Sequence, residues 1–102
     1  MVSQFPGIAI DEDRLTRLCE HYQVRELSLF GSAVRGELTP DSDIDLLVVF
    51  EEAARVGLIT FTRLQNELAG LFGRPVDLVP RDGLKTQLRG EVLAQARTLY
   101  AA

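Results

Sequence analysis

The 102-residue chain has few of the residues that build disulfide bonds or transition-metal sites, since it contains one cysteine, one histidine and no tryptophan. Cys19 has no partner for an internal disulfide bond, and one cysteine with one histidine cannot form a four-ligand zinc site. We therefore expect Cys19 to be a small core residue. The first residues also lack the basic charge and long apolar stretch of an export signal, which favours a cytoplasmic location.

Basic charge and long apolar runs are scarce as well. The 15 acidic residues outnumber the 11 basic ones, and the formal net charge of −4 argues against non-specific binding to duplex nucleic acid. No apolar run approaches the roughly 18 residues of a membrane-spanning helix, so we expect no membrane contact. With 46% hydrophobic and 25% charged residues, the composition is that of a globular protein, and we expect residues 1–102 to form a single domain.

The spacing of the apolar residues predicts alternating helices and strands. The predicted helices cover residues 11–23, 58–72 and 82–100, with Asp11 and Asp82 as N-terminal caps, and the predicted strands cover residues 26–30, 43–50 and 75–79. Between the first two strands, a turn leads into a brief helical stretch that ends near Gly36. We expect an α/β fold of two layers, with three strands in one sheet and the helices mainly on one face. The pattern leaves the directions of neighbouring strands open.

Three aspartates occupy polar positions in these predicted strands. Because strand side chains alternate between the two faces of a sheet, Asp43 and Asp45 point the same way, about 7 Å apart along the backbone. Asp77 lies in an otherwise apolar strand, where an unpaired ionised carboxylate is costly if buried, so we expect a cation near it. That cation is either an arginine such as Arg74 or a metal ion. If the third strand pairs with the second, three carboxylates meet at a site suited to Mg²⁺.

The pair Gly31-Ser32 is a candidate phosphate site. Glycine permits a close approach of the backbone, the following N–H groups favour anions, and the Ser32 hydroxyl adds a donor. Arg35, one turn later, is suited to neutralising a terminal phosphate or the departing pyrophosphate. Taken singly, each of these features is more often structural. Their order favours a nucleotide site: strand, Gly-Ser, ten intervening residues, Asp-x-Asp opening an apolar strand, and a later strand aspartate.

The segment LFGSAVRGELTPDSDIDLLVVF resembles the signature of the DNA polymerase β-like nucleotidyltransferase superfamily, in particular its minimal bacterial and archaeal branch. That branch includes antitoxins paired with HEPN-domain ribonuclease toxins. FGRPVDLV resembles the strand that carries the third carboxylate, and GEVLAQARTLY resembles the usual closing helix. The resemblance implies a single two-layer nucleotidyltransferase-like domain with a small mixed sheet.

The resemblance also implies roles for particular residues. Asp43, Asp45 and Asp77 would be catalytic and would bind magnesium, with two ions expected, and Asp77 would help to deprotonate the acceptor hydroxyl. Gly31 and Ser32 would hold the triphosphate. Many relatives carry arginine directly after the Gly-Ser pair, where this chain has Ala33, which leaves Arg35 as the nucleotide-binding cation of the motif.

For function, the resemblance implies an enzyme that uses ATP and Mg²⁺ to transfer AMP to a tyrosine of a cognate HEPN toxin. The protein would act as the antitoxin, in a hetero-oligomer with that toxin. Larger relatives have further domains that grip the base and the acceptor, so we expect the acceptor protein to supply its own binding surface. Two alternatives stay open: an antitoxin that neutralises its partner by docking alone, and a nucleotidyltransferase that acts on a small molecule or an RNA end.

Overall fold

A four-stranded sheet organises the protein in a computed structural model that describes residues 10–84 and 86–102. The strands lie in the order β3-β2-β1-β4. In chain order the elements are α1 (Glu12–His21), β1 (Val24–Phe30), α2 (Ser32–Arg35), β2 (Ile44–Phe50), α3 (Leu58–Phe72), β3 (Val76–Pro80), a 3-10 turn (Arg81–Gly83), α4 (Thr86–Gln95) and β4 (Arg97–Ala101). The two-layer α/β fold predicted from the sequence is confirmed, with four strands rather than three.

The helix ends follow local chemistry. The side chain of Asp11 accepts a hydrogen bond from the Arg14 backbone N–H at 3.2 Å, which confirms Asp11 as the cap of α1. Helix α1 ends at His21, two residues earlier than predicted, because Gln23 has a φ of +58° and turns the chain into β1. Gly73 ends α3 in the left-handed conformation, and the predicted bounds of α3 are confirmed.

Strand directions, which the sequence left open, differ across the sheet. β1 is antiparallel to both β2 and β4, whereas β2 and β3 are parallel. Because β3 forms one edge of the sheet, Pro75 precedes an edge strand as expected. On that edge, the backbone N–H of Leu78 donates to Gln65 Oε1 of α3 at 3.1 Å, so a side chain covers part of the open edge.

The hydrophobic core lies between one face of the sheet and helices α1 and α3. Its fully buried members include Leu15, Cys19, Leu27, Leu29, Ile44, Leu46, Val48, Leu64 and Leu68. Burial raises the pKa of the Cys19 thiol to about 12, which keeps the thiol protonated, so the prediction of a core cysteine is confirmed.

The other face of the sheet is partly covered by α4. Leu47 and Val49 of β2 line a groove of about 270 Å³ there, together with Ser28 of β1, Leu93 of α4 and Ala96, which follows α4. Side-chain alternation along β2 places Asp45 on this same face, at the end of the strand nearest α2.

The predicted closing helix is wrong in its second half. Helix α4 ends at Gln95, and residues 97–101 form β4, in which Tyr100 pairs with Leu27 and Arg97 with Leu29 of β1. The run Thr98, Leu99 and Tyr100 favours an extended chain, and pairing with β1 decides the outcome. Asp82 lies in the 3-10 turn; position 85, at the start of α4, lies outside the described residues, so the role of Asp82 as a cap stays a prediction.

Across residues 10–84 and 86–102, no helix combines the length and apolar character needed to cross a membrane.

Candidate active site

The parallel pairing of β2 and β3 brings two of the predicted carboxylates side by side. Asp45 and Asp77 are register partners, so their Cα atoms lie on adjacent strands, about 4.8 Å apart across the sheet, and their side chains share one face. Asp43 precedes β2 by one residue and lies two positions before Asp45. The structure therefore brings Asp45 and Asp77 together on one sheet face, with Asp43 close to them at the same end of the sheet.

The three carboxylates lie close enough for their charges to affect one another. Partial burial raises the pKa of Asp45, and the negative charges of Asp77 and Asp43 raise that pKa further. The positive charge of Arg35 opposes the shift. An acid whose ionised form is disfavoured by burial and by two neighbouring anions is a favourable position for a bound cation.

Gly31 brings the backbone against the Asp45 carboxyl group. Phe30, the last residue of β1, is the register partner of Asp45, so the turn that follows it passes directly beside that side chain. A Cβ atom at position 31 would lie 2.3 Å from Asp45 Oδ2, and the φ of +74° with ψ of −146° is a conformation that glycine alone adopts easily. Both the space and the backbone angles require glycine here.

Ser32 and Arg35 lie on α2, the single turn of helix that follows Gly31. Helix α2 contacts both β1 and β2, and Gly36 ends it in the left-handed conformation. Arg35 is half exposed and donates from Nε to Glu37 Oε1. Because an exposed ion pair contributes little to stability, Glu37 is a partner that Arg35 can exchange for a phosphate group.

Arg74 does not pair with Asp77. Asp77 is exposed, so the cation that the sequence required for a buried carboxylate is not needed to offset desolvation. The Arg74 guanidinium donates instead to the backbone carbonyls of Thr39, at 2.7 Å, and Ser42, at 3.3 Å. Within residues 10–84 and 86–102, the ion pairs are Arg35 with Glu37 and Arg81 with Glu26, and neither includes Asp77.

The donor set fits a hard divalent cation. Three carboxylates at one end of the sheet match the oxygen ligands that Mg²⁺ prefers, and water and substrate phosphates ordinarily complete its coordination. In the part of the chain that the structure describes, no three acidic, cysteine or histidine side chains converge closely enough to hold a metal ion as they stand.

Sequence reasoning missed the contacts of Arg74 and Glu37 with the site region. Arg74 reaches a turn 32 to 35 residues earlier in the chain, and no local pattern signals a contact of that span. The Glu37 contact has a weak local signal, because Glu37 follows Arg35 by two residues with Gly36 between them.

Comparisons with known proteins agree with this geometry. A family model described as nucleotidyltransferase domain matches residues 13–99. The protein adenylyltransferase MntA of Thermococcus cleftensis is 45% identical over 78 residues, which cover 76% of this chain and 77% of the relative. Among solved structures, a toxin-antitoxin complex with AMP-PNP matches with a TM-score of 0.72 at 27% identity, covering 91% of this chain and 75% of the matched chain.

A second solved structure is a tri-AMPylated Shewanella oneidensis HEPN toxin in complex with an MNT antitoxin. It matches with a TM-score of 0.63 at 26% identity, covering 89% of this chain and 70% of the matched chain. The family match spans both β2 and β3, the strands that carry Asp45 and Asp77, and extends over most of the chain. The chain belongs to the nucleotidyltransferase domain family and is a minimal nucleotidyltransferase.

Proposed function

We propose that this nucleotidyltransferase is a protein adenylyltransferase that uses ATP and Mg²⁺ to transfer AMP to a tyrosine of a cognate HEPN-type toxin, and that it acts as the antitoxin. The observation that carries the proposal is the register pair of Asp45 and Asp77, with the Gly31 backbone against the Asp45 carboxyl group. The MntA relative supports transfer to a protein, and the matched toxin-antitoxin complexes support a toxin partner. The cytoplasmic location stays a prediction.

In the proposed reaction the acceptor oxygen forms a bond to the α-phosphorus of ATP, the α–β bridging P–O bond breaks, and pyrophosphate leaves. Asp77 accepts the proton of the acceptor hydroxyl, directly or through water. Mg²⁺ ions held by Asp43, Asp45 and Asp77 would lower the pKa of that hydroxyl and offset the negative charge that develops on the leaving group.

The strand order determines on which side of β2 ATP and the acceptor bind. The Gly31-Ser32 turn, at the end of β1, binds the β- and γ-phosphates through backbone N–H groups and the Ser32 hydroxyl, and Arg35 binds the pyrophosphate. β3 lies on the opposite side of β2 from β1. An in-line attack opposite the leaving pyrophosphate therefore brings the acceptor from the Asp77 side.

The test uses the purified chain with the protein encoded beside its gene, ATP and Mg²⁺. Intact-mass spectrometry should show the partner heavier by one or more whole AMP units, with the added mass on a tyrosine. The double variant Asp43→Asn/Asp45→Asn should abolish the addition. Glu20→Gln/Glu52→Gln, which changes the net charge equally at two exposed positions, should leave it unchanged.

A partner whose mass stays unchanged in the presence of ATP and Mg²⁺ would refute the proposal. The docking alternative makes a different prediction, in which the Asp43→Asn/Asp45→Asn variant still protects cells from the partner completely. The intact set of three aspartates at one end of the sheet favours catalysis over docking alone.

A further inference from the structure

Arg74 links the corner between α3 and β3 to the turn that leads into Asp43. Its backbone N–H donates to Ala69 O at the end of α3, which fixes the start of the side chain. From there the guanidinium group reaches across to residues 39–42 and donates to two of their backbone carbonyls, those of Thr39 and Ser42. The bond to Ser42 O is partly buried and the bond to Thr39 O is exposed, so water competes less for the bond to Ser42.

The turn itself has hydrogen bonds of its own. The Ser42 N–H donates to Thr39 O at 3.0 Å, and the Thr39 N–H donates to Ser42 Oγ at 2.9 Å. Thr39 O thus accepts from both Ser42 and Arg74. These bonds shape the turn. Arg74 shares the acceptor Thr39 O with the Ser42 N–H and attaches the turn to the α3–β3 corner, so it also helps to keep the turn closed.

The position of Asp43 depends on the hydrogen bonds that hold the residues on either side of it. It lies outside regular strand structure and is itself exposed. On one side, Ser42 O accepts from Arg74; on the other, the Ile44 N–H donates to Pro75 O at 2.9 Å. Arg74 and Pro75 are adjacent, so the segment that leads into the Asp77 strand holds Asp43 from both sides.

We propose that Arg74 is a positioning residue, which holds the backbone before Asp43 so that this carboxylate stays aligned with Asp45 and Asp77. The effect on metal binding rests on the proposed function, because it requires Asp43 to be a ligand. Arginine suits the task because it remains charged and its planar head presents several donors in fixed directions. In this proposal Arg74 acts through the backbone before Asp43 and not by touching substrate or metal.

The experiment compares Arg74→Met, which removes the donors and keeps the aliphatic length, with Arg74→Lys, which keeps a charged donor. Arg97→Met is the matched control, because Arg97 also donates from Nη1 to two backbone carbonyls, those of Gln95 and Ala96, at the opposite edge of the sheet. All three variants and the wild type are studied as the full chain.

The first readout is amide hydrogen exchange by NMR without metal or nucleotide. In Arg74→Met the Ser42 amide should exchange roughly tenfold faster, as expected for the loss of a charged hydrogen bond, while the Leu27 amide in the core keeps the wild-type rate. Arg74→Lys should fall between Arg74→Met and the wild type, and Arg97→Met should match the wild type at Ser42.

The second readout is the dissociation constant for Mn²⁺, measured by electron paramagnetic resonance. Arg74→Met should bind Mn²⁺ about tenfold more weakly, in the range seen when a group that orients a metal ligand is removed. Arg97→Met should bind as the wild type does. If Arg74→Met does not fold, Arg74→Lys is judged by the same readouts, with smaller changes expected.

Exchange at Ser42 that is unchanged in Arg74→Met, or equal to that in Arg97→Met, would overturn the positioning role. The exchange measurement needs neither metal nor acceptor, so it judges Arg74 even if the wild type transfers no AMP. A wild type that neither binds Mn²⁺ nor modifies its partner counts against the proposed function instead.

Discussion

Replacing Gly31 with alanine perturbs the contact between the nucleotide-binding turn and the Asp45 carboxylate. The added methyl group would lie 2.3 Å from Asp45 Oδ2 and 3.1 Å from Asp45 Cγ. Ordinary van der Waals contact begins near 3.4 Å, so the Oδ2 atom must retreat by about 1 Å, or the turn must move by as much. A misplacement of about 1 Å in an active site can lower the rate about 100-fold.

The backbone adds a cost of its own. Alanine in the glycine-only region at φ +74° and ψ −146° costs about 1–3 kcal/mol of stability. Gly36→Ala is the control, because Gly36 also has a positive φ, of +73°, but a Cβ there meets nothing within 4 Å. It should lose about 1–2 kcal/mol of stability through the backbone alone.

The assays are urea unfolding, followed by circular dichroism, and the initial rate of AMP transfer to the partner. We expect Gly31→Ala to transfer AMP roughly 100-fold more slowly than Gly36→Ala at a temperature where both are folded. If the two folded variants differ in rate by less than about threefold, the Gly31 contact does not set the position of Asp45, and the reasoning is refuted.

Two further substitutions test the electrostatics of the site and the N-terminal cap of helix α1. Without metal, Asp45→Asn should be more stable than the wild type at neutral pH, because it removes a partly buried charge that two neighbouring carboxylates repel; solvent screening of this partly exposed group keeps the gain small. Burial, Asp77 and Asp43 raise the pKa of Asp45, so the wild type regains stability as the pH falls through that raised pKa. The difference in the free energy of unfolding between Asp45→Asn and the wild type, measured by urea unfolding, should therefore shrink as the pH falls. A difference that stays constant with pH would contradict the raised pKa. Asp11→Ala should lower the free energy of unfolding by about 1 kcal/mol through loss of the bond to the Arg14 N–H, with no change in the rate of AMP transfer, and an unchanged urea midpoint would show that the cap contributes nothing.

The strongest periodic signals in the sequence predicted the parts of the fold that position the site. The apolar stripe of α3, closed by Gly73, predicted both ends of that helix correctly. The run from Ile44 to Phe50 predicted β2 to within one residue. Such runs are informative because burial on one or both faces dictates their composition.

The sequence did not predict strand β4, because the residue pattern of this segment fits both a helix and a strand. Leu99 extends the helical spacing of the preceding residues, whereas Thr98, Leu99 and Tyr100 also suit a strand. Local propensity cannot choose between them, since the choice depends on whether β1 has a free edge beside it. In the structure β1 pairs with β2 on one side and accepts β4 on the other.

The sequence predicted which residue types form the candidate site, but it did not predict the contacts between them. Alternation along a strand predicts that Asp43 and Asp45 share a face, but it does not reveal that Asp77 is the register partner of Asp45. It also does not reveal that Gly31 lies against Asp45 or that Arg74 bonds to the turn before Asp43. Each of these contacts joins residues from different elements, so it exists only once the sheet order is set.

Register is therefore the property on which both the stability and the chemistry of this protein depend. The alternation that buries Ile44, Leu46 and Val48 in the core is the same alternation that turns Asp45 to the opposite face. Because the side-chain period of a strand is two, a slip of β3 by one residue would exchange the faces of Val76 and Asp77. That slip would bury a carboxylate in the core and remove it from the site at once, so the energetics of the core enforce the alignment of Asp45 with Asp77.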